Sequence, residues 1–190
     1  MHNYIISHKM INIKSMIRLK EEYTEINKNP NANIRFTIGL YEENNLYIWR
    51  CAFAGPKDSS YSGGVFILKI KFPMDYPESP PEVFFTTPIY HLNINSSSKN
   101  GIPVGKVYCD SLNNWKNYYT IKQLLPEIFV LLYKNNPECG YDIQKNEEFR
   151  NNRQLFEEKA KFFTKKYANP RYANIDQFSQ GIYDWDFSYK

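Results

Sequence analysis

The amino-acid sequence predicts an α+β domain, in which helices at both ends of the chain flank one antiparallel sheet. Apolar residues recur at helical spacing near the beginning of the chain and again after residue 120. Between residues 34 and 86 the spacing changes to the alternation that is typical of strands. Because these strands follow one another with short connections and no intervening helix, they favour a four-stranded antiparallel meander.

The first helix is predicted over residues 12–28. Its apolar residues lie three or four positions apart and therefore share one face of a helix; they are Met16, Leu19, Tyr23 and Ile26. Asn29 and Pro30 follow directly. Because a residue that precedes proline disfavours helical backbone, the helix is expected to end here.

Four short strands are predicted next. Each is rich in β-branched and aromatic residues and is bounded by segments of turn-forming residues. The strands are residues 34–40, 46–53, 65–72 and 82–86. The first of them alternates apolar with polar or small residues, which predicts that it is half-buried.

A polar section without a clear period occupies residues 88–119. Loops of this length are uncommon inside a compact domain and often carry function. The section contains Cys109, within the stretch Gly105–Trp115, whose Gly, Asp, Ser and Asn residues predict an exposed turn. An exposed cysteine would be unusual, because free cysteines are among the most buried residues.

Further helices are predicted in the last third of the chain. Residues 120–134 form a mostly buried helix with Thr120 as its N-cap. Within it, Pro126 removes a backbone hydrogen bond at a cost of roughly 3 kcal/mol, which predicts a kink or a delayed helix start. Residues 145–167 form one or two helices, with these side chains facing inward: Phe149, Leu155, Phe156, Ala160, Phe163 and Tyr167.

The composition excludes several classes of protein. The chain has 190 residues, 42% of them hydrophobic, which is enough for one folded domain. Its net charge of +4 is spread out, without a run of five like charges, so a nucleic-acid partner is not expected. No segment approaches about 18 consecutive apolar residues, and the start lacks the apolar core of a signal peptide, so no membrane association is expected.

The cysteines point to a reducing environment. Cys51, Cys109 and Cys139 are odd in number and widely spaced, which fits neither a disulfide framework nor a zinc site. No metal or cofactor is expected. A cytoplasmic or nuclear setting is the natural interpretation.

Taken alone, the polar residues of the long loop leave their roles open. His91 precedes Cys109, so that a Cys–His hydrolase is conceivable. A lone histidine in a loop is more often a structural hydrogen-bonding residue. Asn93 could stabilise an oxyanion through its amide N–H groups, or it could hold a turn through side-chain-to-backbone bonds.

Several spaced motifs resemble those of the ubiquitin-conjugating enzymes. One is the hairpin pattern GP-x-D-S-x-Y-x-GG-x-F at Gly55, Pro56, Asp58, Ser59, Tyr61, Gly63, Gly64 and Phe66. Another is the turn pattern FP-x-x-YP-x-x-PP at Phe72, Pro73, Tyr76, Pro77, Pro80 and Pro81. A His-x-Asn segment, GKVYC, a Trp and a terminal helix follow in the family's order. The resemblance covers residues 12–168 and leaves an N-terminal extension, 1–11, and a C-terminal extension, 169–190.

The resemblance implies a transferase. Cys109 would accept ubiquitin, or a ubiquitin-like modifier, as a thioester from an activating enzyme and pass it to a substrate lysine or to a RING- or HECT-type ligase. Asn93 would stabilise the oxyanion or order the loop, and His91 would be structural. Cys51 lies in a predicted strand and Cys139 follows a helix, so neither matches the position of the family's acceptor.

Two departures from the family lie near this site. Leu92 replaces the proline of His-Pro-Asn, which frees one backbone angle and is expected to leave Asn93 less rigidly placed. Fifteen residues separate Asn93 from Cys109, more than is usual in the family. The extra residues, 96–108, either tune access to the cysteine or are a tolerated surface insertion, and long surface insertions cost little.

Other departures concern the incoming lysine and the ligase. Cys139 stands where the family often has a carboxylate thought to orient or deprotonate the lysine, and a thiol does this poorly. Slow transfer to free lysine is therefore expected, unless Glu138 takes that role. Glu78 and residues 116–118 replace family residues on the surface that would meet a ligase.

A second interpretation keeps the same fold without strong activity. The departures are compatible with a catalytically weak or silent variant that serves as a scaffold for ubiquitin or a ligase. The C-terminal extension has a role that the resemblance does not assign. Its aromatic side chains could cover an apolar groove of this chain or form a partner site, and self-packing is favoured; they are Tyr172, Phe178, Tyr183, Trp185, Phe187 and Tyr189.

Overall fold

The computed structural model of the chain describes residues 2–30, 34, 36–98 and 101–170, with their side chains except those of residues 2–12 and Cys139. The helices are α1 (His2–Lys28), α2 (Asp110–Asn113), α3 (Ile121–Leu131), α4 (Ile143–Asn151) and α5 (Arg153–Tyr167), with a 3-10 turn over Pro137–Cys139. The strands are β1 (Phe36–Leu40), β2 (Ile48–Ala54), β3 (Val65–Lys71) and β4 (Glu82–Phe85). Within the described ranges, no helix has both the length and the hydropathy of a membrane-spanning segment.

The four strands form one antiparallel sheet in the order β1-β2-β3-β4. This confirms the predicted α+β fold and its meander. Successive side chains of a strand point to opposite faces of the sheet. In β2, Trp49, Cys51 and Phe53 are buried on the face that we call the inner face, whereas Arg50 and Ala52 are half-buried on the outer face. The inner face carries the core.

Helix α1 packs through a stripe that differs from the predicted one at one position. Leu19 and Ile26 are buried as expected, but Met16 is 45% exposed, so its assignment to the buried face is wrong. Ser15 is buried in its place. At 3.6 residues per turn, Ser15, Leu19 and Ile26 fall within about 40° of one another, and Met16 lies about 80° from the middle of this stripe.

Glu22 joins α1 to two distant parts of the chain. Its carboxylate, 6% exposed, accepts hydrogen bonds from the Tyr76 hydroxyl at 2.7 Å and from the Ile121 backbone N–H at 2.7 Å. Arg18 pairs with it at 2.5 Å. Because Ile121 is the first residue of α3, Glu22 satisfies one of the N–H groups that a helix N-terminus leaves without an intrahelical partner.

Helix α3 begins where the sequence predicts. Thr120 is its N-cap, and a capping box with Gln123 is complete. The helix runs through Pro126 without a delayed start. The segment predicted as one or two helices is two, α4 and α5, which are separated at Asn152.

The end of α5 is fixed to the hairpin that joins β2 and β3. The Ala168 carbonyl accepts a hydrogen bond from the Val65 N–H at 2.8 Å, and the Thr164 hydroxyl donates to the Ser60 carbonyl at 3.1 Å. At Gly64, an added Cβ would lie 2.8 Å from Thr164 and 3.0 Å from Ala168, closer than side chains can pack. The helix can therefore lie this close to the strand only because Gly64 has no side chain. Residues 171–190 of the predicted C-terminal extension lie outside the described residues.

Candidate active site

The His91–Asn93 turn is buried and is held by backbone groups. His91 Nδ1 accepts a hydrogen bond from the Asn93 N–H at 3.0 Å, so Nε2 carries the proton and donates to the Leu131 carbonyl at 2.9 Å. Burial lowers the pKa of His91 to about 4. Both ring nitrogens are therefore occupied and the ring is neutral, which removes the basis for a Cys–His hydrolase in which His91 acts as the base.

Acid is expected to destabilise the fold through His91. In the unfolded chain the His91 imidazole binds a proton near pH 6.5, whereas in the folded chain it does so only near pH 4. The free energy of unfolding therefore decreases as the pH falls from 6.5 to 4. It should fall by about 3 kcal/mol across this range, since one pKa unit is worth about 1.4 kcal/mol. Urea unfolding at several pH values would measure this loss, and an equal loss in His91→Gln would contradict the assignment.

Asn93 is rigidly placed, contrary to the expectation from Leu92. It is completely buried, its amide Nδ2 donates to the Asn136 carbonyl at 2.7 Å, and its Oδ1 accepts from the Asn136 N–H at 2.9 Å. Leu92 is also completely buried, and its carbonyl accepts from the Tyr141 N–H at 2.9 Å. Packing and hydrogen bonds to the segment after α3 thus replace the stiffness that a proline would supply.

Two backbone hydrogen bonds join the two ends of the insertion where it leaves and rejoins the fold. The Asn95 N–H donates to the Lys106 carbonyl at 2.9 Å, and the Gly105 N–H donates to the Asn95 carbonyl at 2.7 Å. Asn95 Nδ2 also donates to the carbonyls of Ile102 and Pro103, at 2.7 and 3.1 Å. The returning leg pairs with β4, through bonds between Phe85 and Gly105 and between Val107 and Val83. The base of the insertion is therefore an ordered extension of the sheet edge.

Lys145 fixes the outgoing leg of this insertion to α4. Its ammonium donates to the Ser96 hydroxyl at 2.6 Å and lies 4.8 Å from the centre of the Tyr90 ring. Asp142 lies 3.9 Å away. Burial lowers the pKa of Lys145 to about 8. Sequence patterns do not predict this contact, because a lysine on a polar helix is normally exposed.

Cys109 lies at the N-terminal end of α2 and is buried, with 3% of its surface exposed. The predicted exposed turn is wrong for this residue. The backbone at Cys109 is extended, with φ −147 and ψ 158, and the strand-like alternation that buries Val107 also turns the cysteine inward. The polar neighbours that suggested exposure, Asp110 and Asn113, are indeed exposed.

Glu127 of α3 covers the thiol. Its carboxylate accepts from the Ser111 N–H at 3.2 Å and is hydrogen-bonded to the Cys109 thiol. Burial, and after it the Glu127 charge, raise the pKa of Cys109 to about 12. The Tyr141 phenol also lies close, and burial raises its pKa to about 12. In this arrangement the sulfur is a protonated thiol and a weak nucleophile.

Replacement of Glu127 by glutamine is expected to make the thiol more reactive. The amide can keep the bond to the Ser111 N–H but removes the negative charge that disfavours a thiolate. Alkylation by iodoacetamide at pH 8 should become about three- to tenfold faster, because the thiolate fraction rises as the pKa falls. Asp110→Asn is the matched control and should change the rate less, since Asp110 is exposed and screened. Equal rates for all three proteins would contradict the role given to Glu127.

Glu138 is the remaining predicted site residue, and Cys51 and Cys139 were excluded as the acceptor. Cys51 is 1% exposed in the middle of β2, and burial raises its pKa to about 12. Glu138 is exposed and pairs with Arg150 at 2.7 Å. The Cys139 side chain lies outside the described residues. The structure thus joins Asn93 to the segment after α3, but it directs Glu138 towards α4.

Glu78 and the segment 116–118 meet at one surface. Asn117 Nδ2 donates to the Glu78 carboxylate at 3.1 Å, and Trp115 Nε1 donates to the Pro77 carbonyl at 2.7 Å. Tyr118 is 68% exposed beside them. The two departures that the sequence places far apart therefore form one patch. Among the described side chains, no group of three or more His, Cys, Asp or Glu residues is placed to hold a metal ion.

Comparison with known proteins agrees with this fold. The family model for the ubiquitin-conjugating enzyme matches residues 18–164, which include the whole His91–Cys109 region. The chain belongs to this family. It is 38% identical over 134 residues to "Probable ubiquitin-conjugating enzyme E2 31" of Arabidopsis thaliana, covering 70% of this chain and 82% of that protein. It is 33% identical over 151 residues to "Ubiquitin-conjugating enzyme E2 14" of Schizosaccharomyces pombe (strain 972 / ATCC 24843), covering 80% and 92%.

Proposed function

We propose that the chain accepts ubiquitin, or a ubiquitin-like modifier, from an activating enzyme as a thioester on Cys109 and passes it to a substrate lysine or to a ligase. In loading, the Cys109 sulfur bonds to the carbonyl carbon of the modifier's C-terminus, and the bond from that carbon to the activating enzyme's sulfur breaks. The proton of the Cys109 thiol balances the departing thiolate. The reaction needs no cofactor or metal within this chain.

The placement of Cys109 is the observation that carries the proposal. Of the two cysteines whose side chains are described, Cys51 lies within the sheet between β1 and β3, where a macromolecular acyl group has no room. Cys109 lies at the end of a loop and is followed directly by the exposed Asp110. Its thiol is hydrogen-bonded to the half-buried side chain of Glu127.

Asn93 and His91 support the proposal as parts of a fixed frame. The bonds between Asn93 and Asn136 favour the role in which the asparagine orders the loop beside the cysteine. A direct role in binding an oxyanion requires the amide to leave the Asn136 carbonyl. His91 contributes by fixing the turn to the Leu131 carbonyl.

Transfer to free lysine is expected to be slow, because no carboxylate occupies position 139. Glu138 would serve as a lysine-orienting group only after it leaves Arg150. In the variant Cys139→Asp, discharge of the loaded enzyme to free lysine should become about 100-fold faster, the low end of what a positioned general base supplies. Cys139→Ser is the matched control. Equal discharge of the aspartate and serine variants would contradict this prediction.

The proposed partners follow from the same reaction. They are the modifier, its activating enzyme, a RING- or HECT-type ligase and protein substrates, in the cytoplasm or the nucleus. The patch of Glu78, Asn117 and Tyr118 lies where the sequence departs from the family on the proposed ligase surface. A ligase that recognises this chain is therefore proposed to read a more polar surface than the family pattern offers.

A charging assay tests the proposed function. The chain is mixed with ubiquitin, its activating enzyme and ATP, and the products are separated with and without a reducing agent. We expect an adduct that the reducing agent removes. If ubiquitin gives none, ubiquitin-like modifiers with their own activating enzymes are tried. The absence of an adduct with all of them would overturn the proposal in favour of a silent scaffold.

A further inference from the structure

An open apolar groove of about 420 Å³ reaches the outer face at one end of the sheet, with Phe36 and Phe53 of the inner face also in its lining. It lies at the end of the sheet where β2 finishes and β3 begins. Its lining includes small or apolar residues of β1, β2 and β3 together with residues before β1: Pro30, Ile34, Phe36, Thr37, Ala52, Phe53, Ala54 and Val65. Ala52, Ala54 and Val65 face outward in register on adjacent strands. Among the described residues, the lining of the groove contains no charged side chain.

The chain leaves its described part beside this groove. Val65, which lines the groove, is hydrogen-bonded through its N–H to the Ala168 carbonyl at 2.8 Å. The segment that starts at residue 171 therefore begins three residues after Ala168, which is hydrogen-bonded to a residue of the groove. Twenty residues, 171–190, remain to the end of the sequence.

A row of basic residues continues from the groove along the same face. Arg50 and Lys69 are direct cross-strand partners, and Lys71 lies two positions further on β3. Like charges directly opposite each other in a sheet repel. Within the described residues, none of the three forms an ion pair with a carboxylate. Lys69 lies 3.9 Å from the centre of the Tyr41 ring, and Lys71 lies 5.4 Å from that of Phe84. The row thus offers positive charge edged by aromatic rings.

Residues 172–189 have the complementary composition. They contain three aspartates, Asp176, Asp184 and Asp186, and no Lys or Arg. The same stretch is rich in aromatic and aliphatic residues, and its last part reads YDWDFSY. Its apolar residues suit the uncharged groove. Its aspartates have the charge opposite to that of Arg50, Lys69 and Lys71.

We propose that residues 172–189 dock on the outer face of the chain's own sheet, with apolar side chains in the groove and Asp184 and Asp186 over Arg50, Lys69 and Lys71. The geometry permits this: sixteen residues from Ala168 to Asp184 span up to about 50 Å when extended, whereas Val65 and Lys69 are only about 13 Å apart along β3. A tethered segment also acts at a high effective concentration, so weak contacts suffice. Docking would withhold this face from other proteins, a property that the proposed transferase activity does not require.

Hydrogen–deuterium exchange of the full-length chain tests this proposal. In the wild type, the exchange rates of the backbone amides of residues 176–187 should be at least about tenfold lower than in a free peptide of the same sequence. Lys69→Glu together with Lys71→Glu should remove this protection. Asp184→Lys together with Asp186→Lys should also remove the protection. Because both changes lie in the docking segment, they cannot unfold the sheet. The four changes combined restore opposite charges and should restore protection. Lys20→Glu with Lys134→Glu, at two exposed lysines outside the sheet, is the matched control and should leave protection intact.

Each contrary result overturns a stated part of the proposal. Exchange of residues 176–187 at the free-peptide rate in the wild type would show that the segment does not dock. Protection that survives each of the two double charge reversals would show that the segment binds elsewhere. So would a variant with all four substitutions in which protection does not return. Protection that grows with protein concentration, together with dimers in light scattering, would show that a second copy occupies the face.

Discussion

Replacement of Cys109 by alanine is expected to abolish the reducible adduct in the charging assay. Alanine has no nucleophilic atom, and the other described cysteine, Cys51, is closed within the sheet between Ile38 and Leu68. The loss should be complete, because a thioester cannot form without the acceptor sulfur. A gel without reducing agent, quantified over time, measures the result.

Controls for this prediction use the other two cysteines. Cys139→Ala and Cys51→Ala should keep the adduct. Because Cys109 is buried, the alanine variant must also be shown to be folded; its free energy of unfolding should fall by about 1 kcal/mol, as for the loss of one small buried group. A reducible adduct on folded Cys109→Ala would contradict the assignment of the acceptor.

Replacement of Glu22 by alanine is expected to cause the largest loss of stability among single polar changes discussed above. The Glu22 carboxylate bonds at once to the Tyr76 hydroxyl, the Ile121 N–H and Arg18. Its removal leaves the Tyr76 hydroxyl and the Ile121 N–H without this acceptor in a buried place, whereas Arg18 keeps its bond to the Tyr119 carbonyl. We expect the free energy of unfolding to fall by about 3 kcal/mol, the range for breaking a buried pair by removing one partner.

Urea denaturation measures this loss, and the chain offers a matched control. Glu21 is the preceding residue of α1 and is exposed, so Glu21→Ala should change the free energy of unfolding by no more than about 0.5 kcal/mol. Equal effects of the two substitutions would show that the contacts of Glu22 contribute little.

The strands and the start of α3 could be predicted from the sequence because local patterns determine them. Alternation of apolar residues locates β2 and β3, and Thr120 with Gln123 marks the start of the helix. Met16 was misplaced, since a helix with apolar residues on adjacent positions has two stripes of similar strength. The buried face of α1, which includes Ser15, is decided by packing against the sheet and Tyr76, which are distant from α1 in the sequence.

The candidate site was predictable in its residues but not in its state. Motif spacing identifies Cys109, His91 and Asn93. The raised pKa of the buried Cys109 owes part of its size to Glu127 from α3, a contact between segments far apart in the sequence that no local pattern encodes. One signal was present, since Glu127 is the single acidic residue of an otherwise mostly apolar helix. A half-buried carboxylate beside the Cys109 thiol could have been suspected from it.

A covered thiol fits an enzyme that is loaded by another enzyme. A thiol with a pKa near 12 reacts slowly with small electrophiles at neutral pH. In the proposed function, loading therefore requires the sulfur to become accessible to the activating enzyme. The His91–Asn93 turn and the base of the insertion are held by hydrogen bonds and form a fixed frame around it.

The most direct test of the central claim exchanges the acceptor sulfur for oxygen. Cys109→Ser is charged with ubiquitin, activating enzyme and ATP, and the product is treated separately with thiol and with dilute hydroxide. If Cys109 carries the acyl group, the serine variant forms an oxyester that resists thiol and is cleaved by hydroxide, whereas the wild-type adduct is cleaved by thiol. A thiol-sensitive adduct on the serine variant would contradict the account, because the acyl group would then lie on another cysteine.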